Sequence, residues 1–137
     1  LVQNLEIELD KGYNTGDLII FPPLYNEITT DNPFKLAERR YPVEFEYPVS
    51  EKVTTRTTIP EGYKVESLPK SKNLTILSGS VTYNYNVSVE DNVVVANYEY
   101  RLKRMIFIPD EYAQLKEFFR NLVESQNEKV VLIRAGV

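Results

Sequence analysis

Cysteine, histidine and tryptophan are missing from these 137 residues, methionine occurs once and glycine five times. Without cysteine there is no disulfide and no thiolate nucleophile. Without histidine there is no Ser-His-Asp triad, no Cys-His pair and no imidazole-ligated metal. The reagents that remain are carboxylates, lysine, tyrosine, serine and threonine, which excludes most hydrolase and transferase designs, and no cofactor is expected. A long apolar run is also lacking, so no segment reads as a membrane span. No signal peptide is visible. Sixteen basic residues stand against twenty acidic ones, a net charge of −4, and no basic stripe stands out. That balance argues against nucleic acid or an anionic membrane as partner. The chain opens at Leu1 and runs directly into a strand pattern, which reads as a piece of a longer protein.

What is present is β-forming. Ten tyrosines and six phenylalanines accompany frequent Val, Thr and Ile, residue types that suit pleated, half-buried surfaces. The length fits one domain over 1–137, with strands and a connector in 1–31 and the main body in 32–137. "NLEIELD" alternates, with Leu5, Ile7 and Leu9 on one face; "KGYNTGD" is a turn using Gly12 and Gly16; "LIIFPP" is a short strand stopped by Pro22 and Pro23. "KVTTRTTI", "KVESLP" and "SKNLTI" read as further strands, with turns at "PEGY" and at Gly79. The clearest hairpin is "VTYNYNVSVEDNVVVANYEYRLK". Val81, Tyr83, Tyr85, Val87 and Val89 share one face, Asp91-Asn92 form the turn, and Val94, Ala96, Tyr98, Tyr100 and Leu102 share a face on the return. "RMIFI" reads as one more apolar strand.

One helix is expected from Pro109 to about Gln126. Pro109 suits the first helical position, and Asp110 and Glu111 complement the positive end of the dipole. Tyr112, Leu115, Phe118, Phe119, Leu122 and Val123 repeat at three and four. "KVVLIR" follows, apolar on both faces and therefore central in its sheet or covered by the helix. Short strands at steady spacing around one late helix predict a mainly β fold: an antiparallel, immunoglobulin-like β-sandwich with a C-terminal amphipathic helix before the last strand. The runner-up is a curled antiparallel sheet capped on one face by the helix.

Three groups of residues invite a functional reading. "NPFKLAERRYPVEFEYP" opens like a turn, runs briefly like a helix and then alternates, with Tyr41, Val43, Phe45 and Tyr47 on one face. Its charges Glu38, Arg39, Arg40, Glu44 and Glu46 are expected to act as a structural clasp, one arginine forking onto a carboxylate. Glu44 and Glu46 stand roughly 6.5–7 Å apart along a strand, within the range of an inverting carboxylate pair. Side chains at i and i+2 run parallel instead of flanking a bond, so no catalytic residue is assigned. Tyr83, Tyr85, Tyr98 and Tyr100 could stack a sugar or hold a peptide, yet their mixture with Val81, Val87, Val94 and Leu102 reads as core. Asp10, Asn14 and Asp17 only faintly resemble a calcium loop, and they lack the spacing and the closing glutamate; no metal site is assigned.

The order of "NPFKLAERRYPVEFEYP", "IPEGYKVESLP", the tyrosine-rich hairpin and "PDEYAQLKEFFRNLVESQNEKVVLIR" resembles a C-terminal domain of unknown function. In that family the domain follows a transglutaminase-like core in exported proteins of Gram-negative bacteria. The likeness covers about Leu18 to Arg134. It implies a periplasmic or extracellular location and a Cys-His-Asp core elsewhere in the parent protein, none of whose residues map onto this chain. The expected role is a non-catalytic accessory domain that packs on, or presents substrate to, other domains of the same chain. The alternative is a carbohydrate- or peptide-binding module using the tyrosine-rich sheet; a stand-alone carboxylate enzyme comes third. An accessory domain should leave an exposed apolar patch.

Overall fold

The computed structural model describes residues 16–25 and 32–135. Along these residues run β1 (Leu18–Phe21), β2 (Val43–Glu44), β3 (Val49–Thr58), β4 (Tyr63–Ser67), β5 (Lys72–Ile76), β6 (Val81–Glu90), β7 (Val93–Leu102), β8 (Ile106–Phe107), α1 (Tyr112–Gln126) and β9 (Val130–Arg134). The expected "NLEIELD" strand, Gly12, Asp10 and Asn14 lie outside the described residues.

Two-residue periodicity sets the main sheet. β6 and β7 pair antiparallel, with Val81 opposite Leu102, Tyr83 opposite Tyr100 and Val87 opposite Ala96. Asp91 enters the intervening turn at φ +55°, a conformation that aspartate tolerates better than most residues. Asn92 Nδ2 donates to the Ile59 carbonyl at 2.8 Å, and the Asn92 carbonyl accepts from the Ile59 amide at 2.8 Å, so the turn is tied to the end of β3. Adding β3 and β5 gives the antiparallel order β3-β7-β6-β5. A second antiparallel sheet has the order β1-β9-β4, and the doubly apolar β9 sits at its centre.

One continuous core joins the layers. Ile19, Phe21, Val130 and Leu132 of the smaller sheet meet the inward residues of β6 and β7 and the buried stripe of α1. The helix lies over the Tyr83 and Tyr100 end of the large sheet: Tyr83 Oη and Ser125 Oγ are 3.3 Å apart, and the Tyr100 ring packs on Phe118 and Phe119. At the other end Tyr25, just beyond β1, sets its hydroxyl 2.6 Å from Thr57 Oγ1. The fold is thus mainly β and antiparallel, sandwich-like, with one helix before the last strand, as the sequence predicts. The solvent side of α1 carries Arg120 between Glu117 and Glu124, paired at i,i+3 and i,i+4, and these pairs raise the Arg120 pKa.

Two expectations are corrected here. Tyr41–Tyr47 shortens to the two-residue β2, and "RMIFI" shortens to its partner β8. Pro42 and Pro48 deny β2 further ladder donors, and Pro109 stops β8. The helical run after Asn32 does not form either. Asn32 Oδ1 accepts from the Phe34 amide at 2.9 Å, fixing a local turn, and Phe34 is buried against Tyr112 and Phe119.

The β5–β6 connection holds Leu77, Ser78 and Gly79 at φ +52°, +56° and +84°. A Cβ added at Gly79 would meet nothing within 4 Å, so only its dihedral resists a side chain. Gly79→Ala is expected to cost about 1–2 kcal/mol. Urea denaturation would read this as a lower midpoint at unchanged slope.

Candidate functional site

The tyrosine row is interior. Exposure is 0% at Tyr83, 2% at Tyr85 and 5% at Tyr98, and Tyr100 is half-buried under the helix. Tyr83 lies 6.1 Å from Tyr85 and 6.2 Å from Tyr98, ring centre to ring centre. The Tyr98 hydroxyl donates to Glu51 Oε1 at 2.5 Å, whereas the Tyr85 hydroxyl finds no hydrogen-bond partner among the described residues. Burial pushes the Tyr83 and Tyr100 hydroxyls up to about 12; hydrogen bonds to Ser125 and Gln126 offset part of this at Tyr83. Burial raises Tyr85 as well, with Tyr83 and Glu128 adding to it. The alternative of an aromatic ligand platform is therefore corrected: the four rings face inward because alternation puts them on the strand face that α1 and the smaller sheet cover.

The charge cluster is also not what holds its segment. Among the described residues no ion pair joins Arg39 or Arg40 to Glu38, Glu44 or Glu46. Arg39 Nε donates instead to the Tyr41 carbonyl at 3.3 Å. Pinning comes from the main chain: the Leu36 carbonyl accepts from Tyr112 Oη at 2.7 Å and Lys116 Nζ at 2.9 Å, while Asn32 Nδ2 donates to the Lys116 carbonyl at 2.9 Å. The segment is clasped to α1, but through the Leu36 and Lys116 carbonyls and not through its own charges. Glu44 and Glu46 are exposed. Asp17 stands 4.0 Å from Arg134. Among the described residues no three acidic side chains gather as a metal site would need.

A different surface draws attention. In the β2–β8 ribbon Val43 pairs with Phe107 and Glu44 with Ile106, and the Phe45 amide donates to the Met105 carbonyl at 2.8 Å. Val43 and Phe107 point inward, Phe45 packing edge-on against Phe107. Arg104 lies 4.5 Å over the Phe107 ring and donates to Glu111 at 2.5 Å, a bond that lowers the Glu111 pKa. The alternate residues face out: Ile106 exposes 55% of its surface and Ile108 53%, with Met105, Tyr41, Tyr47 and Leu36 also exposed nearby in sequence. Sequence reading took "RMIFI" for an ordinary strand. The available signal was its apolarity on both faces in a segment too short to be a central strand.

A model of a family of domains of unknown function with a solved structure, DUF3858, matches residues 17–132. The chain belongs to the DUF3858 family. Among curated proteins none matches this DUF3858 domain. In structure the domain is similar to part of a "putative protease" from Parabacteroides distasonis, with a TM-score of 0.68 at 15% identity over 89% of this chain. At that identity the likeness is one of fold. The DUF3858 domain spans about a quarter of that protein, 24% of its chain. No helix among the described residues is long and apolar enough to cross a membrane.

Proposed function

We propose that this DUF3858 domain is a non-catalytic accessory domain of a larger exported protein with a transglutaminase-like core. It packs through the outward face of the β2–β8 ribbon onto a neighbouring domain of the same chain. The observation that carries this reading is the exposure of Ile106 and Ile108 on one face beside Glu44, flanked by Met105, Tyr41 and Tyr47. Isolated apolar residues are common on protein surfaces; several exposed together along β8 and at the ends of the ribbon suit an interface. Two further facts support it. The similar structure is a protein in which this fold occupies a quarter of the chain, and the sequence lacks the cysteine and histidine on which a transglutaminase-like core depends. The order of the sequence motifs supports the core's identity and the exported location.

Hydrogen exchange tests it in the full-length parent. Amides of residues 41–47 and 105–108 are expected to exchange at least about tenfold slower there than in the isolated chain, since covering the ribbon suppresses its local opening. Ile106→Lys, facing Glu44, with Ile108→Asp should erase that difference while changing the isolated chain's stability by no more than about 1 kcal/mol. Equal exchange in parent and fragment would sink the proposal.

A further inference from the structure

A second surface lies on the far edge of the large sheet, away from both the ribbon and the tyrosine rings. β5 pairs only with β6, and among the described residues no strand takes its other edge. Exposed edges are ordinarily blunted by charge, proline, bulges or cover. The other edges show such devices. β1 runs straight into Pro22 and Pro23, and β4 carries a register shift between Val65 and Ser67. β3 bears Glu51, Lys52 and Arg56 and is overlaid by Pro23 and Tyr25, bonded to Thr55 and Thr57. β5 keeps unbroken register over all five residues and carries one charge, Lys72, at its end.

Beside this edge runs a groove of about 430 Å³. One wall is the consecutive strand stretch Asn73–Ile76; the other is Ala113, Gln114, Glu117, Phe118 and Asn121, which lie along one side of α1. Past Asn121 it continues into a smaller recess where Lys70 and Lys72 oppose Glu124 and Glu128. There the Lys70 amide is already satisfied by Glu128 Oε2 at 2.8 Å, so the open stretch begins at β5 itself.

We infer that this groove binds an extended polypeptide segment, which adds as a fifth strand to β5 and seats alternate small apolar side chains between Leu74, Ile76, Ala113 and Phe118. The strand wall supplies main-chain donors and acceptors at strand spacing, which only another extended backbone matches over several residues. In the recess two ammonium groups face two carboxylates, and Glu117, the one charged residue lining the groove itself, is paired with Arg120, which suits a near-neutral peptide and not a polyanion.

The test uses the whole chain, isotope-labelled, titrated with the capped peptide Thr-Val-Thr-Val-Thr. Saturable amide shifts are expected in residues 72–76 and 113–121, with a Kd at or below about 1 mM. Two peptides methylated on alternate sets of amide nitrogens separate main-chain pairing from apolar contact. One of the two is expected to bind about tenfold or more weakly, because its methyls replace the donors aimed at β5. Ala113→Trp, an exposed helix position, should fill the groove and also cost about tenfold or more while leaving the helix intact. The inference is overturned by non-saturable shifts, by equal binding of both methylated peptides, or by unchanged binding to the Trp variant. A concentration-dependent dimer that the Trp variant abolishes would equally overturn it, assigning the edge to a second copy.

Discussion

Phe119→Ala is expected to lower the unfolding free energy by about 3–5 kcal/mol, the range for truncating a buried phenylalanine. Phe119 is 8% exposed, and its ring meets three others: Phe118 at 5.3 Å, Phe34 at 5.4 Å and Tyr100 at 6.0 Å. Those contacts join α1, the segment after Asn32 and β7, so the cavity would open where three parts of the chain converge and none can move in alone. Against a domain stability of roughly 5–15 kcal/mol, this is at least about a fifth of the total. The control is Arg39→Ala with Arg40→Ala, expected to change stability by no more than about 0.5 kcal/mol because neither guanidinium pairs with the nearby carboxylates. Chemical denaturation of the three proteins decides it. A large loss in the double arginine variant with little in the phenylalanine variant would restore the charge clasp and remove the ring junction as the anchor.

The contrast between these two sites shows what a sequence exposes. Alternation and helical spacing are local properties, so β6, β7 and α1 were legible, and of the two places that doubly apolar β9 allowed, central in its sheet or under the helix, the sheet order gives the first. Phe34 was readable as apolar but not as the ring under Phe119, since its partner lies more than eighty residues away. The glutamates and arginines of residues 38–46 are adjacent in sequence, and adjacency predicted a pair; yet Tyr112 and Lys116 reach the Leu36 carbonyl first. Likewise alternation placed Tyr41 and Tyr47 on a face with Val43 and Phe45, but could not say where cover ends. Two prolines cut the pairing short, and both tyrosines are left in solvent. The groove beside β5 was beyond sequence reading altogether, because a strand becomes an edge only through the order in which its neighbours assemble.

The domain is expected to unfold cooperatively in alkali, between pH 10 and about 12, with the change traceable to Tyr83 and Tyr85. Both hydroxyls have folded-state pKa values raised above the ordinary 10, chiefly by burial. The unfolded chain therefore loses these protons first. Their contribution to stability is intact below pH 10 and drains away as pH rises through the folded-state values, by up to about 1.4 kcal/mol per pH unit for each tyrosine. By pH 12 the pair forfeits several kcal/mol. Tyr100, half-buried, adds less. Tyr85→Phe provides the decisive comparison. It removes a hydroxyl that has no partner among the described residues, so it should be neutral or stabilising by about 1 kcal/mol at pH 7 and should move the alkaline midpoint upward. Tyrosinate absorbance and far-ultraviolet circular dichroism followed together report the outcome: the buried hydroxyls should ionise in step with loss of strand signal. Ionisation of all ten tyrosines near pH 10 with the sheets intact would mean that water reaches the row, and the inward face on which the fold rests would have to be abandoned.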